Sequence, residues 1–223
     1  MTTAATPPEF RRIPLNGGLR DTRIAVSLGA GGSDRTEAAA RALAAGGVRC
    51  LEVSQGGPGA LAALELLASR LPAGVDVGLG RVMVPQDVVR AADAGARFIA
   101  CPHTASDVIH AARNLGLACY PGALTPSEIQ LAWRAGASAV TLFPAASLGV
   151  GYLSAVRAAL PGIGLVAAGP VGAGEAAQWL AAGAAAVVLG PELLGDALFP
   201  GGDLEALTAR TRSVLAAAAQ VPR

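Results

Sequence analysis

Four times along this chain a helical run closes on Ala-Gly and an apolar run begins within a few residues. The four places are Ala44-Ala-Gly-Gly-Val48, Asp93-Ala-Gly-Ala-Arg97, Arg134-Ala-Gly-Ala-Ser138 and Ala181-Ala-Gly-Ala-Ala185. A glycine there serves as the left-handed cap that ends a helix before the chain enters a sheet. Recurrence of one helix–strand unit at a steady interval constrains the fold more than any single motif. The apolar runs predict strands at Ile24–Leu28, Val48–Ser54, Val75–Gly80, Arg97–Cys101, Leu117–Tyr120, Ala139–Phe143, Gly164–Ala168 and Ala185–Leu189. They are continuous rather than alternating, as parallel strands covered on both faces should be. Helices are expected at Thr36–Ala45, capped by Ser33 or Asp34, at Ala60–Arg70, and at the amphipathic stretch Asp203–Gln220. About eight strands, each followed by a helix-like segment, is the count of an α/β protein of the (β/α)8 TIM barrel type. A doubly wound open sheet is the rival, but its dinucleotide fingerprint does not follow the first strand. The expected organisation is an N-terminal arm at 1–21, rich in Pro and Gly, the barrel at 22–200, and a C-terminal helix at 201–223 packing on it.

Composition narrows the function classes. Apolar residues make up 52% and charged residues 15%, enough apolar mass to cover a sheet on both faces. A net charge of +1 gives no electrostatic case for nucleic acid or a membrane surface as partner. Every one of the 17 basic side chains is arginine. A chain without lysine has no side-chain amine for a Schiff base. Cys50, Cys101 and Cys119 are far apart, lack CxxC spacing and lie in apolar runs, so they read as buried free thiols and not as a disulfide or metal set. With no apolar stretch of spanning length and no secretory leader pattern, the expected location is cytoplasmic.

In a barrel, chemistry gathers at the C-terminal strand ends. Glu52 is the sharpest residue there, an ionisable group inside the apolar run Val48–Val53. It is either a general acid or base with a raised pKa, or the partner of an arginine, for which Arg81 one strand over is the candidate. Thr141 is the polar residue of the sixth strand's end, just before Leu142-Phe-Pro144. The other strand ends offer Gly80, Pro102, His103, Phe143, Gly169 and Gly190 as candidate substrate contacts. His103 reads as an anion contact or as a solvated loop residue, and His110, within a helix, as surface. Gly169 and Gly190 occupy the places where barrels often bind phosphate through backbone N–H groups.

From about Ile24 to Leu194 the chain resembles the aldolases of 2-keto-3-deoxy-6-phosphogluconate, its galactonate epimer and 4-hydroxy-2-oxoglutarate, with the galactonate branch the best match. The resemblance is carried by Ala45-Gly-Gly-Val-Arg-Cys-Leu-Glu-Val53, Gly78-Leu-Gly-Arg-Val82, Tyr120-Pro-Gly-Ala-Leu-Thr-Pro-Ser-Glu128, Leu142-Phe-Pro-Ala-Ala146 and Leu165-Val-Ala-Ala-Gly169. It implies a (β/α)8 barrel, commonly a homotrimer, that needs no cofactor and no metal. Such an enzyme cleaves a 2-keto-3-deoxy sugar acid to pyruvate and an aldehyde, so a small-molecule 2-oxo acid is the expected partner. A lysine on the sixth strand forms the Schiff base, and a glutamate on the second moves the protons.

Residue by residue, the glutamate falls on Glu52 and the lysine on Thr141. An arginine after the first strand falls on Leu28, and the threonine of Gly-x-Gly-Thr-Val on Arg81. The phosphate turn becomes Gly169-Pro170, and the position after the eighth strand becomes Pro191; proline has no N–H to offer a phosphate. Two expectations follow. One is a lysine-independent enzyme with Glu52 as base and Arg81 as anion clamp. The other is an inactive homologue that binds a small acid or serves as a scaffold.

Overall fold

The computed structural model describes residues 12–29, 35–57 and 59–223. The proposed caps Ser33 and Asp34, and most of the arm before residue 12, lie outside the described residues. The elements run α1 (Gly17–Thr22), β1 (Ile24–Ser27), α2 (Thr36–Gly46), β2 (Cys50–Ser54), α3 (Ala60–Arg70), β3 (Asp76–Gly80), α4 (Pro85–Asp93) and β4 (Phe98–Cys101). They continue with α5 (Ser106–Asn114), β5 (Ala118–Ala123), α6 (Pro126–Ala135), β6 (Val140–Leu142), α7 (Gly149–Ala159), β7 (Leu165–Ala167), α8 (Ala176–Ala181), β8 (Ala186–Leu189), α9 (Pro191–Leu194) and α10 (Leu204–Ala219). All eight strands are parallel and consecutive, and β8 pairs back onto β1 to close the barrel. The chain is a (β/α)8 TIM barrel.

Strand alternation explains why the runs look apolar throughout. Ile24, Val26, Leu51, Val53, Leu79, Ile99, Val140, Leu142 and Val187 point outward and pack under the helices in the main core cluster. The residues between them point inward: Ala25, Cys50, Phe98, Ala118, Tyr120, Ala139, Val166 and Ala186 form a second, smaller cluster inside the barrel. Most of these inner side chains are small, so they do not fill the barrel to its mouth. The linking glycines Gly47, Gly95, Gly136 and Gly183 have φ of 108°, 89°, 107° and 96°, the left-handed region that an L side chain resists.

Each strand differs from the sequence reading by a residue or more at its ends, and β5, β6 and β7 show why. β5 runs through Pro121 to Ala123 instead of stopping at Tyr120. Proline removes one ladder donor, but Gly122 and Ala123 go on pairing with Thr141 and Leu142. β6 and β7 are three residues each, shorter than their apolar runs. Burial continues past the last ladder pair at Ala139 and Ala168, so hydropathy alone overshoots the pairing.

The N-terminal end of the barrel is sealed by α1, which falls within the expected arm. Leu19 is buried there against the inner cluster. Asn16 fixes the seal: its Nδ2 donates to Asp76 at 2.8 Å, and its Oδ1 accepts from the Tyr120 hydroxyl at 2.6 Å. The Tyr120 hydroxyl is thereby committed to the sealed end. At the far end of the chain, α10 packs along α2, with Asp203 capping its first turn through the Ala206 N–H.

Candidate active site

The C-terminal strand ends open on a cavity of about 980 Å3. Glu52 and Ser54 reach it from β2, Ser27 from β1, Ala100 from β4, Thr141 from β6, Ala168 from beyond β7 and Val188 from β8. Each faces inward by the strand period.

Glu52 is half-buried, in the wall of the cavity. Its Oε1 accepts from the Ser27 Oγ at 3.0 Å and from the Ser54 Oγ at 3.0 Å. The two hydroxyls are also 3.1 Å from one another. Ser27 stands directly across from Glu52 in the β1–β2 register, and Ser54 is the next inward residue of β2. Burial pushes the Glu52 carboxyl above the usual carboxylate range; the Ser54 and Ser27 hydrogen bonds and the more distant Arg81 charge pull partly the other way. Room for the carboxylate is made by Gly80 on β3. A Cβ there would overlap the Glu52 Oε1 and Cδ and stand 2.8 Å from its Cγ.

Arg81 lines the cavity but is exposed, and no ion pair joins it to Glu52 among the described residues. Of the two sequence readings of Glu52, the close pair with Arg81 is not formed: two serine hydroxyls hold the carboxylate. Arg81 has φ of 57°, a left-handed conformation unusual for a side chain of this size. Its guanidinium lies against Gly56, where an added Cβ would come within 3.1 Å of Nη1. Gln55 and Asp87 extend the polar wall. The Gln55 Nε2 donates to Asp87 at 2.9 Å, and its buried Oε1 has no partner among the described residues.

Thr141 is 8% exposed and lines the cavity from β6. Its hydroxyl makes one long hydrogen bond, 3.4 Å, to the Tyr120 carbonyl oxygen. Pro102, Phe143, Gly169 and Gly190 also border the cavity. Gly169, at φ 83°, lies so close to Phe143 and Pro144 that a Cβ would come within 3.0 Å of each. Two expected contacts stand elsewhere. Gly80 lies behind the Glu52 carboxylate, and His103 is exposed and not part of the cavity lining. Leu28 points outward and is buried beneath the helices. Pro170 and Pro191 stand at the ends of β7 and β8, with Glu192 beside Pro191 at the rim.

Sequence reasoning did not assign roles to Ser27, Asp87 or Glu192. Ser27 had a readable signal, as the one polar residue in its apolar strand. Asp87 and Glu192 sit on helices beyond the strand ends and had none. All three cysteines are free and buried. Among the described residues no group of three or more His, Cys, Asp or Glu side chains could hold a metal ion, and no helix is long and apolar enough to cross a membrane.

Comparison with known proteins agrees with this fold. The probable 2-dehydro-3-deoxy-6-phosphogalactonate aldolase of Rhizobium meliloti (strain 1021) is 34% identical over 161 residues, spanning 72% of this chain and 76% of that one. The 2-dehydro-3-deoxy-phosphogluconate aldolase of Dickeya dadantii (strain 3937) is 32% identical over 180 residues, spanning 80% and 84%. A solved structure described as native KDPGal superposes with a TM-score of 0.81 at 27% identity, covering 89% of this chain and 95% of that one. The family description "KDPG and KHG aldolase" matches residues 17–210, and the chain belongs to that family.

Proposed function

We propose that this protein catalyses proton transfer next to the carbonyl of a 2-oxo acid, in carbon–carbon bond cleavage or a related step, without a Schiff base. Glu52 is the base and Arg81 holds the substrate carboxylate. The observation that carries this reading is the Glu52 carboxyl itself, oriented by Ser27 and Ser54 in an open cavity and raised in pKa by burial. A base poised above the ordinary carboxylate range is suited to abstracting a proton near neutral pH. In cleavage, Glu52 takes the proton of the hydroxyl on the carbon of the breaking bond that becomes the aldehyde. The carbon–carbon bonding pair passes to the 2-oxo acid fragment as its enolate, and the aldehyde departs. Glu52 then returns the proton to the α-carbon, giving pyruvate. Arg81 meets the carboxylate through its forked N–H groups. The chain contains no lysine, so the electron pair rests on the carbonyl oxygen and not on an iminium.

A second reading is favoured by one observation. Thr141 stands where the resemblance puts the family's lysine, and a threonine hydroxyl forms no iminium. On that reading the chain binds a small acid, or serves as a scaffold, without turnover. The experiment that separates the two is exchange of the pyruvate methyl protons for deuterium, followed by NMR, for wild type and Glu52→Gln. Exchange by wild type that is lost in Glu52→Gln supports the enzyme. No exchange in wild type supports the second reading, and exchange untouched by Glu52→Gln overturns Glu52 as the base. The proposal carries over a cytoplasmic homotrimer from the family resemblance; sedimentation equilibrium tests the trimer.

A further inference from the structure

The walls of the cavity are chemically divided. The polar side chains Ser27, Glu52, Ser54, Gln55, Arg81 and Asp87 come from β1, β2, the residues directly after β2 and β3, and the start of α4. From β4 round to β8 the wall is Ala100, Phe143, Val166, Ala168 and Val188, with the Phe98 and Tyr120 rings beneath, their centroids 5.6 Å apart. Tyr120 presents its ring and not its hydroxyl, which is bound to Asn16 at the sealed end. Thr141 in the wall and Glu192 at the rim are the exceptions in this half, and the Thr141 hydroxyl is directed to the Tyr120 carbonyl.

The rim of the apolar half is poorly matched to phosphate. Pro170 and Pro191 have no N–H, the Gly172 N–H is taken by Glu175 at 3.1 Å, and Glu192 adds a negative charge beside Pro191. At about 980 Å3 the cavity is near the upper end of the range for small-molecule sites, about 300–1,000 Å3, and far larger than a three-carbon acid requires.

We infer that the cavity takes 2-oxo acids with an apolar side chain, the carboxylate and carbonyl toward Arg81 and Glu52 and the chain across the β4–β8 wall. This inference rests on the reading above for its polar end and adds the chemical class of the rest of the ligand. A polyhydroxylated acid fits this half poorly. Each hydroxyl stranded against Ala168 or Val188 without a partner lowers affinity by a factor of about ten or more. A methylene in the same place raises affinity about fourfold.

The test is a calorimetric series on the full chain: pyruvate, 2-oxobutanoate, 2-oxopentanoate, 2-oxohexanoate and 2-keto-3-deoxy-6-phosphogluconate. Affinity should rise about fourfold per methylene, about sixtyfold across the four unsubstituted acids. The binding heat capacity should grow more negative with chain length, the mark of apolar burial. The phosphorylated sugar acid should bind more weakly than 2-oxohexanoate. In Val188→Trp or Ala168→Phe, which fill the apolar half, the length dependence should disappear. A flat or falling series in wild type, no measurable binding of any of these acids, or tighter binding of the phosphorylated acid overturns the inference. Because the readout is binding, the inference can stand while Glu52-dependent exchange fails, and the two failures are distinguishable.

Discussion

Gly80→Ala tests the architecture of the site through an atom that is not chemically active. Gly80 does not occupy the left-handed region, so alanine fits its backbone. On chain entropy alone the substitution would stabilise by about 0.4–1 kcal/mol. The overlap opposes this. The new Cβ would fall on the Glu52 Oε1 and Cδ and 2.8 Å from Cγ, so the whole end of the side chain has to swing and not one rotatable atom. That swing breaks the hydrogen bonds from Ser27 and Ser54. Overpacking of this size costs about 1–3 kcal/mol, so the overlap wins and the variant is net destabilised.

Urea unfolding followed by circular dichroism reads the loss. Gly151→Ala is the control: it lies inside α7 with open space around its Cβ position and should gain about 0.5–1 kcal/mol. In a Glu52→Ala background the obstacle is gone, and Gly80→Ala should turn from destabilising to stabilising. Activity should fall about a hundredfold in the single Gly80→Ala variant, as expected for displacing a base by an ångström. A Gly80→Ala protein as stable as its parent with undiminished proton exchange, or a cost unchanged in the Glu52→Ala background, refutes the reasoning.

Arg81→Gly should separate stability from binding. Relief of the left-handed arginine at φ 57° stabilises by about 1 kcal/mol, while loss of the guanidinium weakens 2-oxo acid binding about tenfold or more by calorimetry. The raised Glu52 pKa has a definite sign in the linkage between stability and pH. Its contribution is fully present below the ordinary glutamate value, about 4.3, and is lost as pH rises through the raised folded-state value. Glu52→Gln should therefore flatten the decline in urea midpoint over that interval. Proton exchange should run the opposite way, rising as Glu52 ionises. In Thr141→Lys the new side chain enters a buried position beside the cavity, where burial depresses an ammonium pKa. Borohydride trapping with pyruvate should give a covalent adduct by mass spectrometry in that variant and none in wild type.

The barrel was legible because the caps and the outward faces are local signals. Ala-Gly at the helix ends and the Val, Ile and Leu of the strands mark each unit without reference to its neighbours. The site was legible only where chemistry stood out against an apolar run, as with Glu52 and Thr141. What holds Glu52 depends on register. Ser27 is adjacent to it only because β1 and β2 pair as Ser27↔Glu52, and no local pattern reports that pairing. Arg81 looked like the partner because it follows the neighbouring strand, yet its left-handed backbone carries the side chain to Gly56 and the rim. For His103 the solvated alternative is the one that agrees with its exposed place outside the cavity lining, since following a strand end does not by itself bring a side chain into the cavity.

The division of labour between the two faces of the strands explains how this chain keeps the barrel with threonine where the resemblance expects lysine. Stability comes chiefly from the outward cluster under the helices, in which neither Glu52 nor Thr141 takes part. Inward residues near the mouth can change chemistry at small cost to the fold. Thr141 illustrates this, because a small, weakly hydrogen-bonded side chain leaves the wall of the cavity closed around it. Glu52 is the opposite case. With its pKa raised by burial, its ionised form subtracts stability, and it requires a glycine on β3 and two serines, one across on β1 and one further along β2, to be accommodated. Packing would be served better by an apolar side chain at that position. A carboxylate that the fold accommodates at its own expense, in the wall of an open cavity, points to work on a ligand.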